Sequence, residues 1–258
     1  MKLYFKYLST QLKTSFIYRG SSIMAILGQT LNTVAAFFSV YLLFLRFPSI
    51  AGYTFSEVMI TFSVVTFSFY FSEMMFRGFD EFDSLVKTGA LDTLLLRPRN
   101  VVLQLCGHKI EILKLGRVFF GLCLLIISCF VAPVQWTFIK VIVLIEMVVA
   151  GIVVFFGVYM FSCTITIFTI KTPEFINVLT YGARELCYYP IDVFKKFISK
   201  FFTFILPYAT FNYIPLKYLL YGQSVGIWPI IYPWFSLVFT AIMYFVFNYS
   251  LKFYKSAG

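Results

Sequence analysis

Long runs of Phe, Leu, Ile, Val and Tyr fill most of the chain, and polar residues collect in a few short segments between them. A helix of about 20 apolar residues crosses the roughly 30 Å hydrocarbon core of a bilayer. Runs of that length lie at 23–45, closed by "RFP", and at 58–76, 116–134 and 138–168. Another lies at 233–251, entered through "GIWPIIYPW", whose tryptophans suit the membrane interface. The run 138–168 is longer than a bilayer needs and predicts a helix that tilts or protrudes. Strict alternation over about 10 residues, the signature of a membrane β-barrel, does not recur. The pattern predicts an all-α polytopic membrane protein.

Two segments depart from simple spans. Residues 1–18 place Leu3, Tyr4, Tyr7, Leu8, Leu12 and Phe16 at helical spacing, with Lys2, Lys6, Ser9, Thr10 and Lys13 toward the other side. That pattern predicts an interfacial helix lying in the headgroup plane. The stretch 171–220 begins too polar for an ordinary span and continues as "FFTFILPYATFNYIPLKYLL", broken by Pro207 and Pro215. Proline removes a helix hydrogen bond, and broken backbone survives at membrane depth only where protein or a water-filled cavity covers it. A broken or re-entrant element is expected over 190–220, before the last span.

Charge sets the orientation. The chain has 258 residues, of which 60% are hydrophobic and 12% charged, about half the ~25% charged fraction of a soluble domain. Its net charge is +10, yet the basic residues gather beside apolar runs, where they meet anionic headgroups. The bilayer, not nucleic acid, is the expected partner. Residues 1–19 carry Lys2, Lys6, Lys13 and Arg19 with no acidic residue, and 77–117 carry seven basic residues, whereas the intervening loops offer Arg46 and Lys140. The positive-inside rule puts both segments, and the tail with Lys252 and Lys255, in the cytoplasm. The span count is then even, about six. Lys195, Lys196 and Lys200 oppose the rule if the broken element is external. The N-terminal stretch lacks the cleavage site of a signal peptide. Cys106, Cys123, Cys129, Cys163 and Cys187 are dispersed without a CxxC and read as small apolar residues, neither a disulfide framework nor a metal site. No repeat or soluble domain interrupts the chain, so residues 1–258 read as a single membrane domain.

One charged island stands out. Residues 79–100 read "FDEFDSLVKTGALDTLLLRPRN", with seven of 22 positions charged. Asp80, Glu81 and Asp83 crowd the start of a short helical pattern, Lys87 falls in its last turn, and Gly89 can take a left-handed stop. A second short helix follows, with Asp92 near its start, Leu91, Leu94 and Leu95 on one face, and Pro98 ending it. Two capped helices protruding into the cytoplasm suit a rigid docking surface better than a plain connecting loop. An amphipathic stretch from Val101 to Lys114 continues the region.

Chemistry is sparse. There is no GxxxxGK[ST], HExxH or GxSxG, so P-loop, zinc-protease and nucleophile-elbow reactions lack their parts. The lone His108 reads as an interface residue, and no catalytic residue, metal ligand or cofactor is expected in this chain. Glu146, within "VLIEMVVAG", is the one acidic residue deep in a span, where an ionisable group is costly and is either functional or a protonated or hydrogen-bonded packing residue. Glu57 and Glu73 lie near span ends, where water can reach them, and read as structural. Gln29, Asn32 and Thr33, with Ala36 and Ser39, form a small or polar stripe that suits either a helix–helix contact or a path. A lipid-modifying membrane enzyme would need clustered polar residues at one depth, and an ion-coupled secondary transporter would show paired broken helices. Neither sign is present.

The stretch "FDSLVKTGALDTLLLRP" resembles the cytoplasmic signature of a subgroup of ABC-2-type exporter permeases, at Phe82, Leu85, Lys87, Gly89, Leu91, Asp92, Leu95, Leu96, Arg97 and Pro98. "RELCYYPIDVF" and "ILPYATFNYIP" are similar to its late segment, at Arg184, Glu185, Tyr189, Pro190, Pro207, Ala209, Asn212, Tyr213 and Pro215. The resemblance implies a multi-pass cell-membrane permease, bacterial inner membrane in kind, that pairs with a second permease copy or paralogue. It implies that Asp80, Phe82, Asp83, Leu85, Lys87, Gly89, Leu91, Asp92, Leu95, Arg97 and Pro98 couple to separate ABC ATPase subunits, which bind the ATP and Mg. It further implies a fifth span near Pro173–Tyr189 and an external gate at Pro207, Asn212 and Pro215; Gln29, Asn32, Thr33 and Glu146 are candidates for a translocation path or dimer seam on their own chemistry.

Overall fold

In the computed structural model, residues 9–11, 13–14, 18–169 and 171–255 are described. The expected interfacial helix over 1–18 lies mostly outside them. In chain order the helices are α1 (Arg19–Arg46), α2 (Phe55–Met75), α3 (Arg77–Asp80), α4 (Phe82–Lys87), α5 (Ala90–Leu95), α6 (Val101–His108), α7 (Leu115–Val131) and α8 (Phe138–Thr169). There follow α9 (Phe175–Asn177), α10 (Ala183–Leu186), α11 (Lys196–Lys200), α12 (Tyr208–Phe211), α13 (Tyr213–Tyr221), α14 (Trp228–Ile231) and α15 (Phe235–Ser250). Among the described residues, the extended structure is one isolated bridge, Ile50 to Tyr53, in the turn between α1 and α2.

Five helical stretches among the described residues are long and apolar enough to cross a membrane: α1, α2, Ile112–Val131, α8 and Trp228–Phe253. They start and stop within a few residues of the apolar runs. Helix α2 is the axis, with most of its length buried, and α7 and α8 flank it. Helix α1 packs outside α7, and α15 packs outside α8, so both leave wide apolar faces uncovered. At its start, the Glu57 carboxylate of α2 accepts from the Thr54 amide at 2.7 Å, a cap closing the helix back on itself.

The axis is held by small polar side chains. Ser68 and Ser72 each donate to a carbonyl of α8, Val148 and Ile152, at 3.0 Å, and Ser63 meets Ser128 of α7 at 3.1 Å. Small hydroxyl residues let backbones approach closely where lipid gives no hydrophobic drive between helices. Gly151 of α8 lies so close to α2 that a Cβ there would fall 2.7 Å from the Ser68 hydroxyl.

Helix α8 has 32 residues, about 48 Å at 1.5 Å per residue, against the roughly 30 Å core. The excess has a use. Its last third, through Tyr159, Met160, Cys163 and Ile167, leaves the main core and joins a second one with Phe79, Phe82, Leu91 and Phe247. This end of the molecule, where 77–114 sits, is the charged end.

No sixth crossing helix of the same kind occurs among the described residues. Around Pro173–Tyr189 the chain forms α9, a π turn at Val178–Gly182, and α10, and residues 175–186 reach about 18 Å at 1.5 Å per residue. The run ends at Leu186, shortly before Pro190. The path continues in pieces. Tyr181 bonds Glu73 at the charged end at 3.0 Å, the Tyr188 ring packs 4.3 Å from the Phe62 ring midway along α2, and Tyr213 meets Tyr53 at the far end at 3.3 Å. Helices α9 to α13 thus carry the chain from the charged end of α2 to the far end.

Candidate functional site

The region 77–108 folds as four short helices over a core shared with α8 and α15. Phe82, Leu85 and Leu91 are buried in it, so these three shape the region from within. Gly89, between α4 and α5, has φ 69°, a conformation costly for residues with a Cβ, and Lys87 bridges Asp83 at 2.8 Å within α4. Leu91 and Leu94 turn inward, but Leu95 is exposed, and Leu96 beyond it is 85% exposed. The exposed tip is therefore Leu95–Leu96, followed along the chain by exposed Arg97, Pro98 and Arg99, and Lys87 is exposed as well. Asp80, Asp83 and Asp92 are half-buried.

Beneath the tip, side chains close off the backbone. Buried Gln104 donates to the Leu94 carbonyl at 3.0 Å and the Arg99 carbonyl at 3.1 Å. Asn100 caps α6 by accepting from the Leu103 amide at 3.3 Å, and its amide donates to the Tyr244 hydroxyl of α15 at 2.7 Å. Glu81 bridges Lys109 at 2.5 Å. Gly78 lies against α6, where a Cβ would land on the Leu105 carbonyl and 3.3 Å from the His108 Cβ. Burial pushes the Cys106 thiol up to about 12, so it stays protonated and inert.

The region is tied to the spans by a buried charge cluster. Lys114, before α7, pairs with Glu73 at the end of α2 and with Glu111 at 3.3 Å. Arg77 pairs with Asp80 and, through Nε, with Glu111 at 3.0 Å. The Tyr181 hydroxyl donates to Glu73 at 3.0 Å, and Arg77 donates to that hydroxyl at 3.3 Å. Three carboxylates face two cations. Burial raises Asp80 above the usual carboxylate range, although the Arg77 charge pulls the other way. Glu73 is thus not the water-reached residue its position near a span end suggests: it is buried, because the chain returns to cover it with Lys114 and Tyr181.

A second anchor joins the broken segment to α2. Arg184 lies 4.8 Å from the Phe69 ring and donates to the Tyr70 hydroxyl at 3.1 Å. Arg117 of α7 stacks 5.0 Å from the same Tyr70 ring. Farther on, Asn212 donates to the Cys187 carbonyl at 2.6 Å, and Tyr208 donates to the Leu179 carbonyl at 2.8 Å. Pro207, Asn212 and Pro215 are all buried about α12 and α13. Pro207 precedes α12, and Pro215 sits in the first turn of α13, where a missing amide is tolerated.

The sequence model described as an ABC-2 family transporter protein matches residues 30–258. The chain belongs to the ABC-2 transporter family. It is a membrane permease component of an ABC-type transporter and not itself an enzyme. No curated protein and no solved structure matches it.

Within this ABC-2 permease, the four polar residues in the apolar spans do not form one patch. Thr33 is buried and bonds back to the Gln29 carbonyl at 3.4 Å, and that carbonyl also accepts from Arg117 at 3.0 Å. Asn32 is exposed on the uncovered face of α1. Glu146 lies on α8, in a cleft shared with α15. The charge cluster and the Tyr70 anchor escaped the sequence reading. The only local signals were the spacings Glu73–Arg77, Arg77–Asp80 and Glu111–Lys114, which are common on exposed helices.

Proposed function

We propose that this permease is half of the membrane pathway of an ATP-driven exporter, paired with a second permease and coupled through residues 77–100 to separate ATPase subunits that hold ATP and Mg. The observation that carries the reading is the exposed apolar tip, Leu95–Leu96, followed by Arg97 and Arg99 and mounted on a buried apolar base. An exposed leucine pair on a soluble-side loop costs solvation unless a partner covers it. Closure of the ATPases would push the tip. The base moves as a block because its core is shared with α8 and α15. The charge cluster at Glu73, Arg77, Asp80, Glu111 and Lys114 passes the displacement to α2, α7 and, through Tyr181, to the broken segment. Pro207, Asn212 and Pro215 would act as the gate there. Asn32 on the open face of α1 fits a seam with the second permease, where amides bond across helices. In this reading the broken segment completes a sixth crossing, and both termini face the cytoplasm of a cell of bacterial type.

Co-purification with candidate ATPases tests the coupling. Wild type should retain the ATPase, and both Leu96→Asp and the double variant Asp92→Arg with Leu95→Asp should lose it at least about tenfold, as for a truncated interface anchor. If wild type retains none, or the variants retain it equally, the coupling reading fails.

A further inference from the structure

The first half of α8 and the start of α15 leave between them a cleft of about 290 Å³, just below the roughly 300–1,000 Å³ range of small-molecule pockets. Its walls are almost wholly apolar, with Ile142, Ile145 and Val149 from one helix and Leu237 from the other. Glu146 is among the residues that line this setting, and Trp234 stands at the same cleft. The Glu146 Oε2 atom is buried and has no hydrogen-bond partner among the described residues. Nor is a counter-charge at hand. Lys140, one and a half turns away on α8, donates instead to the Leu219 carbonyl at 2.7 Å, and Glu146 is the only charged side chain lining the cleft among the described residues.

A carboxylate at membrane depth is expensive unless a cation compensates it. Apolar walls, one uncompensated carboxylate and an indole together fit one ligand chemistry. The walls take a hydrocarbon chain, the carboxylate takes a positive head, and an aromatic ring favours an ammonium, quaternary ones included. Ile142, Ile145 and Leu237 are exposed on the lipid-facing surface of the chain, so such a molecule would enter sideways from the bilayer.

We propose that this cleft binds a lipophilic ammonium compound drawn from the surrounding membrane, with Glu146 holding the cationic head. The inference stands apart from the coupling reading, because binding here needs no ATPase.

The test uses the full-length chain in phosphatidylcholine nanodiscs, with Trp136 and Trp228 changed to Phe so that Trp234 is the sole indole of the three tryptophans. It is titrated with a brominated alkyltrimethylammonium, and in parallel with a brominated carboxylate and a brominated alcohol of equal chain length. Saturable quenching of Trp234 is expected for the ammonium alone. Glu146→Gln should weaken it at least tenfold, and Val149→Phe, which fills the cleft and leaves the charge, should weaken it comparably. Equal quenching by the three headgroups, or unchanged affinity in either variant with a normal elution profile, overturns the proposal. A fall in affinity in a variant counts in its favour only if thermal stability matches the parent chain.

Discussion

Lys114 and Glu73 have side chains only 5% and 3% exposed, so each ion depends on the other. Removing one partner of a buried pair leaves an uncompensated charge, at a cost of about 3–5 kcal/mol, whereas removing both is often nearly neutral. Lys114→Met should therefore sharply lower the apparent melting midpoint in detergent, and Glu73→Gln with Lys114→Met should restore most of it. If the double variant is no better than the single one, the pairing is not what holds this corner together. Asp80 behaves in the opposite sense. Its folded carboxyl titrates above the ordinary carboxylate range, first because it is buried. Its protonation thus adds stability that is full below the ordinary value near pH 3.9 and is lost as pH rises through the raised one. Asp80→Asn copies the protonated form. It should melt higher than wild type at pH 8, with the gain shrinking toward pH 4, and a gain that grows on acidification contradicts the assignment. These residues illustrate what the sequence hides: Glu73 looked water-accessible because its partners Lys114 and Tyr181 arrive from distant parts of the chain.

Two glycines, Gly78 within α3 and Gly89 between α4 and α5, separate local from tertiary constraint. Gly89 has φ 69° with open space around it. Alanine there meets only the left-handed penalty, about 1–2 kcal/mol. Gly78 has an ordinary backbone but presses on Leu105 of the neighbouring helix. Alanine there must push α3 off α6 and so disturb the base beneath the tip. Gly78→Ala should cost more than Gly89→Ala in melting midpoint, and should also weaken ATPase retention more. Equal losses would mean that the α3–α6 contact gives way freely. Legibility follows the same division. The stop at Gly89, the two short helices and the five long apolar helices could be read from local pattern, because capping, periodicity and span length are short-range. The apolar face of α5 was read only in part. Leu91 and Leu94 pack inward as a stripe should, but Leu95 turns outward because α4 and α6 cover only one side of so short a helix. The base under Gly78, the charge cluster and the Tyr70 anchor were illegible, since each joins segments far apart in sequence.

At the scale of the whole molecule, the open question is how the chain gets from the end of α8 to the start of α15. Hydropathy could not trace it, because α9 to α13 are too short and too polar to register as a span. Their contacts carry the chain from Glu73 at the charged end to Tyr53 at the far end. The last helix then returns, placing Phe247 against Phe79 and Phe82. A broken path is tolerable within a bilayer only where its freed backbone groups find partners inside the protein, as the segment's own Asn212 and Tyr208 supply to the Cys187 and Leu179 carbonyls. This geometry makes a sided prediction. On a background with the five native cysteines replaced, single cysteines at Leu96 and Lys252 should react with an impermeant maleimide from one face of a sealed vesicle. Cysteines at Phe138 and Ser224 should react from the other face. Ser224 decides the matter, because it follows the broken segment and precedes the last span. If Ser224 labels from the same face as Leu96, the segment 171–221 turns back without crossing, and a five-span chain with its tail on the opposite face replaces the six-crossing arrangement. If Ser224 labels with Phe138, the two prolines and Asn212 lie within a crossing element. Substitutions there, such as Asn212→Ala, which frees the Cys187 carbonyl, should then alter transport while leaving ATPase retention intact.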